Sequence, residues 1–73
     1  MENAHEIAIA TINEAKSDVN SPATPNTVHG NAIVVIFDGT TFSVNDNGDG
    51  VDELTEQEAL RVLEHDIQQN IDR

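Results

Sequence analysis

Apolar positions recur at helical spacing over residues 2–19. Ala4, Ile7, Ala8, Ile12, Ala15 and Val19 fall on one side of an α-helix. Glu2 and Glu6 suit the positive end of its dipole, and the alanine content favours helix. Ile9 lies off this stripe, beside His5 and Lys16, as a lone surface residue or part of a subunit contact. Pro22 and Pro25 cannot continue the helix, and each drives the residue before it towards extended conformation. Residues 20–27 therefore read as a loop inside one domain.

The period then changes from helical to alternating. Over residues 32–44 the β-branched and aromatic run Ala32-Ile-Val-Val-Ile-Phe37 is followed by Thr41-Phe-Ser-Val44. Asp38-Gly39 between them signals a two-residue turn, which predicts a β-hairpin pairing Phe37 with Thr40, Val35 with Phe42 and Ile33 with Val44. Ile33, Val35, Phe37, Phe42 and Val44 then share a core face. Ala32, Val34 and Ile36 share the other face with Thr41 and Ser43. That second face is apolar for a solvated surface. Two strands also leave two open edges, and a homodimer would cover both.

Helical spacing returns over residues 55–71, with Ala59, Leu60, Leu63, Ile67 and Ile71 as the apolar stripe. Thr55 and Glu58 have the spacing of a capping box, hydroxyl and carboxylate each accepting from a free amide at the helix start. Glu58, Arg61, His65 and Asp72 fall on the opposite, solvated side. His65, between Glu64 and Asp66, reads as a solvated histidine. The predicted architecture is a single small α+β domain spanning residues 1–73. It is ordered helix, β-hairpin, helix (α-β-β-α) and is dimeric, with an acidic loop over 45–54.

Composition sharpens this picture. A chain of 73 residues with no cysteine, tryptophan or tyrosine has a small core and no covalent staple. Fourteen acidic residues against three basic ones give a net charge of -11. Such a field repels nucleic acid and anionic membranes and attracts cations and basic proteins. No apolar run approaches membrane-spanning length. Glu2 and Glu6 occupy the place of a secretory leader's positive region, so the reading puts the chain in the cytoplasm of its own cell or of a host.

The densest acidity lies at residues 45–56, Asn-Asp-Asn-Gly-Asp-Gly-Val-Asp-Glu-Leu-Thr-Glu. Starting at Asn45, this stretch resembles the EF-hand calcium loop. The resemblance places Asn45, Asn47 and Asp49 at the first three ligand positions and Gly50 at the turn. The Val51 carbonyl, Glu53 and the bidentate Glu56 complete the set. In this alternative reading the protein is a calcium-binding module with one degenerate hand. Asn45 stands where the family has Asp, Asp52 where it has an apolar residue, and a strand where it has an entering helix. Calcium is the one cofactor in view. Glu2 and His5 form a single Glu-x-x-His pair, a spacing that carboxylate-bridged metal sites use in several copies.

A second resemblance is compositional. Small, very acidic, cysteine-free chains resemble the DNA-mimic inhibitors of bacteriophages and bacteria, among them blockers of the nucleoid protein HU and anti-restriction and anti-CRISPR proteins. The resemblance implies an inhibitor that occupies the nucleic-acid-binding surface of a basic protein, without binding nucleic acid or membrane itself. Its contact surface would be a ridge of Asp46, Asp49, Asp52, Glu53, Glu56 and Glu58, continued by Glu64, Asp66 and Asp72. This reading ranks first, because the charge surplus runs beyond the twelve loop residues and only Asp49, Glu53 and Glu56 among the calcium ligands are ionised. No phosphate-cradling glycine loop, nucleophile elbow or zinc spacing is present, so an enzyme is not expected.

Overall fold

A computed structural model describes residues 3–25, 33–46 and 48–71. The elements run α1 (Ala4–Ser17), β1 (Ile33–Phe37), β2 (Phe42–Asp46), β3 (Asp49–Leu54) and α2 (Glu56–Ile71). The fold is the expected small α+β domain with one strand more than the sequence suggests. The three strands form an antiparallel sheet in the order β1-β2-β3.

Helix α1 is shorter than its apolar pattern. Asn3 caps it, with the side chain accepting from the Glu6 amide at 2.9 Å. It ends at Ser17 because Asp18 leaves helical geometry and Asn20 turns left-handed at φ 71°, a conformation that asparagine tolerates. Val19 is thereby left outside the stripe and exposed. Ala4, Ala8, Ile12 and Ala15 are buried as expected, and so is Thr11, whose hydroxyl donates to the Ile7 carbonyl at 2.8 Å. That bond lets a polar residue sit in the core.

The first hairpin has the expected faces but a different register. Phe37 pairs with Phe42, Val35 with Val44 and Ile33 with Asp46, a shift of two residues from the expected pairing. A shift of two preserves the side-chain alternation, so Ile33, Val35, Phe42 and Val44 still face the core. Asp38 explains the longer loop. Its Oδ1 accepts from the Thr40 and Thr41 amides, both at 2.8 Å, so Thr40 bonds within the loop instead of pairing with Phe37. The Phe37 and Phe42 rings then stack with centroids 4.4 Å apart.

Both helices lie on the inner face of the sheet. Helix residues Ala4, Ala8, Ile12, Ala59, Leu63 and Ile67 form one cluster with Ile33, Val35, Phe42, Val44 and Leu54. Alanines on α1 let that helix approach closely, while the larger Leu63 and Ile67 of α2 fill the centre. Two surface contacts join the helices, a hydrogen bond between His5 Nδ1 and Glu64 Oε2 and an ion pair of Lys16 Nζ with Glu56 Oε1, each at 2.9 Å. An exposed ion pair of this kind contributes about 0–1 kcal/mol. The capping box of α2 is present. The Thr55 amide donates to Glu58 Oε1 at 3.0 Å, and the Glu58 amide donates to Thr55 Oγ1 at 3.2 Å.

One of the two sheet edges expected to be open is covered. Ala23, in the proline-containing loop, exchanges two backbone bonds with Val35, at 2.9 and 2.8 Å. The Asn20 amide adds a third, donating to the Phe37 carbonyl at 2.9 Å. Ala32, part of the expected hairpin, lies outside the described residues.

Candidate functional site

The region expected as an acidic loop is a second hairpin. Asp46 pairs with Asp49, Asn45 with Gly50, and Val44 with Val51. Gly48, at φ 96°, sits in the turn between Asp46 and Asp49, and its amide donates to Asn45 Oδ1 at 3.1 Å. The pairing of Asn45 opposite Gly50 leaves room for the asparagine side chain. A Cβ at position 50 would meet Asn45 Nδ2 at 3.4 Å. Backbone pairing thus overrides the low strand preference of Asp49-Gly50-Val51-Asp52-Glu53.

The strand is not regular to its end. Phe42 pairs with Leu54 and Val44 with Val51, so one residue of β2 faces two of β3. This is a β-bulge at Asp52 and Glu53, with Glu53 in the left-handed region at φ 59°. The bulge returns Leu54 to the core, where it is 8 % exposed, and sends the chain into α2.

The expected calcium ligands are not wrapped around one point. Asn45 Oδ1 is engaged by the Gly48 amide, and Glu56 reaches across to Lys16. Asp49, Val51 and Glu53 are drawn out along β3, and Asn47 lies outside the described residues. Among the described residues no group of three or more acidic or histidine side chains is gathered where it could hold a metal. Glu2 of the Glu-x-x-His pair also lies outside them, and His5 bonds Glu64.

The expected acidic ridge divides into three groups. Asp49, Asp52 and Glu53 are exposed on β3, with no ion pair or side-chain hydrogen bond among the described residues. Glu56 and Glu58 follow at the start of α2, both exposed, the first paired with Lys16 and the second committed to the cap. Hydrogen bonds from the Thr55 amide and then the Thr55 hydroxyl hold the Glu58 carboxyl below its ordinary range, with Arg61 helping. Glu64 and Asp66 do not continue one line. At roughly 100° per residue they stand on opposite flanks of α2. Glu64 faces α1 through His5, and Asp66 faces the sheet near Asp46. Asp72 lies outside the described residues.

Asp46 is the residue whose environment departs most from expectation. Its Oδ1 is shut off from solvent with no hydrogen-bond partner among the described residues. Asp66 stands close enough to feel its charge. Partial burial first, and the Asp46 charge second, push the Asp66 carboxyl above its ordinary range, while His65 opposes them. His65 itself is exposed, as its flanking acids suggested. Sequence spacing could not bring Asp46 and Asp66 together, because their proximity depends on how α2 crosses β2.

No helix among the described residues is long and apolar enough to cross a membrane. Comparison with protein-family models, curated proteins and solved structures finds no significant match to this chain.

Proposed function

We propose that this chain is an acidic protein-binding module whose carboxylates take the place of DNA phosphates on a basic nucleic-acid-binding protein of the nucleoid, restriction or CRISPR type. It acts as an inhibitor in the cytoplasm of its own cell or of a host. One observation carries this reading. Asp49, Asp52 and Glu53 stand exposed and uncompensated on a hydrogen-bonded strand rather than on a slack loop. At a strand rise of about 3.3 Å per residue, shortened at the bulge, the three charges span at most roughly 13 Å, the axial length that one DNA strand fills with about four phosphates. A fixed array of this density presents its field without first being ordered. The net charge of -11 extends that field beyond the strand.

The same reading includes self-association. Val34 and Ser43 are half-buried and Ile36 is 39 % exposed on the outer sheet face. On β1 and β2 the described residues of that face carry no charge, so a second copy could approach over those two strands, away from Asp52 on β3. Sedimentation that finds only monomer at micromolar concentration removes the dimer from the proposal.

The experiment is competition. Affinity capture from lysate at low and high salt identifies the basic target, and labelled DNA is then displaced from that target by the protein. Displacement should weaken steeply with salt, because screening shortens charge interactions to about 8 Å at physiological ionic strength. The triple variant Asp49→Asn, Asp52→Asn, Glu53→Gln should fold normally and lose displacement. No displacement at low salt, or displacement unaffected by the triple variant, overturns the proposal.

A further inference from the structure

We infer that the outer edge of β3 is a strand-addition site for an extended, basic segment of a protein partner. The inference rests on the acidic-module reading and adds the binding mode. Of the two sheet edges, β1 is already occupied by Ala23 and the Asn20 amide. On β3 no backbone bond beyond those to β2 is present among the described residues. An edge strand with unpaired amides and carbonyls is a template for another strand.

The side chains select what can pair. Asp49 and Val51 share the face that looks towards the helices, because their partners Asp46 and Val44 do. Asp52 stands on the opposite face by alternation, and the bulge adds Glu53. A second copy of β3 would set like charges against like, which disfavours self-pairing. A segment that alternates lysine or arginine with apolar residues would set its cations on the outer face, beside Asp52 and the bulged Glu53, and its apolar residues on the face of Asp49 and Val51. Its apolar side chains could cover Val51, which is 46 % exposed. The bulge at Asp52 and Glu53 limits the regular register to the part of β3 before it, so the added strand is short. Main-chain bonds would supply affinity, and the carboxylates would supply selection and faster encounter.

The test uses the whole chain and two synthetic peptides of alternating lysine and valine. One has an ordinary backbone, and the other is N-methylated at every residue whose amide would face β3. Charge and side chains are the same in both. The ordinary peptide should bind, protect β3 amides from exchange, and bind the triple variant Asp49→Asn, Asp52→Asn, Glu53→Gln more weakly. The N-methylated peptide should bind roughly tenfold more weakly or worse, since several backbone hydrogen bonds are lost together. Equal binding of the two peptides overturns strand addition while leaving the acidic-module reading in place. Absence of binding by the ordinary peptide, or exchange protection outside β3, also overturns it. Failure of the unaltered protein to displace DNA at low salt would instead sink the acidic-module reading, with the peptide result standing by itself.

Discussion

The two hairpins of this protein share strand β2 and differ in almost everything else. The first joins β1 to β2, is rich in β-branched and aromatic residues, and buries Ile33, Val35, Phe42 and Val44 on one face. The second joins β2 to β3, where every residue but Leu54 is exposed. The first has the longer loop although it holds Asp-Gly, because the Asp38 carboxylate bonds two amides inside that loop. The second closes at Gly48 with a tight turn and a bulge. Side-chain burial sets the first hairpin, whereas turn geometry and pairing to a strand already in place set the second. A strand with little apolar surface can be held if its neighbour is fixed by the core. It also remains free to present charge.

The largest expected effect falls on the shared strand. Phe42 is 2 % exposed, stacks on Phe37 and pairs across the other side with Leu54. Phe42→Ala should remove about 3–5 kcal/mol, a large share of what a small domain without staples possesses. Urea unfolding followed by circular dichroism reads this. A loss below about 1 kcal/mol would mean that the core is not centred on β2. By contrast, Val51→Ala on the second hairpin should change stability by no more than about 0.5 kcal/mol, because the side chain is already in water.

Glycine substitutions separate the two turns. Gly39 and Gly48 both take positive φ, at 101° and 96°. An alanine Cβ at Gly48 would meet nothing within 4 Å, and one at Gly39 would make ordinary contact with Val19 Cγ1 at 3.9 Å. The penalty is therefore conformational at both places, about 1–2 kcal/mol each. Gly48→Ala should also speed amide exchange in β3 while leaving β1 protected. A Gly48→Ala protein with unchanged stability and exchange would show that the second turn does not hold β3.

Much of this fold is legible in the sequence, and the exceptions share a cause. The helix stripes apart from their ends at Val19 and Ile71, which are exposed, the capping box at Thr55 and the inner face of the first hairpin follow from periodicity, which local chemistry sets. The register of that hairpin does not, because Asp-Gly invites a two-residue turn until the hydrogen bonds of Asp38 to Thr40 and Thr41 are known. Strand β3 is hidden because its residues are poor strand formers and its stretch resembles a calcium loop. Its pairing with β2 is a tertiary fact. The site is legible in part. Asp49, Asp52 and Glu53 are exposed as expected, while Glu64 and Asp66 have individual environments that charge counting cannot see.

Where the second hairpin hands over to α2, Thr55→Ala should destabilise by about 1 kcal/mol, since the cap loses its hydroxyl acceptor. The same change should raise the Glu58 carboxyl part of the way towards its ordinary value, because the bond from the Thr55 amide, the larger cause of its lowering, remains and only the hydroxyl is lost. Carboxyl NMR titration checks this. Calorimetric titration with calcium should show no saturable micromolar binding, since Asn45 and Glu56 are engaged elsewhere. Binding at that level abolished by Glu56→Gln would restore the calcium reading.

The smallest expected effect distinguishes the hairpins by the sign of their pH dependence. In the first, amide donors from Thr41 and then Thr40 hold Asp38 below its ordinary value of 3.8. A lowered carboxyl stabilises the fold above its unfolded value, and that contribution is lost as pH falls through the folded value. Beside the second, burial and then the Asp46 charge hold Asp66 above its ordinary value of 3.8. A raised carboxyl has the opposite sign. Its favourable contribution is complete below the unfolded value and is lost as pH rises through the folded one. Acid therefore weakens the loop of the first hairpin and relieves repulsion beside the second. Asp38→Asn should lower stability near neutral pH and flatten the acid limb of the stability profile. Asp66→Asn should leave stability near neutral pH equal or slightly higher, and remove the gain that protonation gives the parent. Both groups are largely in water, so solvent screening keeps the changes small, and urea midpoints across the acid range must be paired with carboxyl NMR of each residue. An Asp66 resonance that titrates at or below the ordinary aspartate value would show that Asp46 and Asp66 do not face each other in solution, and would place the tip of the second hairpin away from α2.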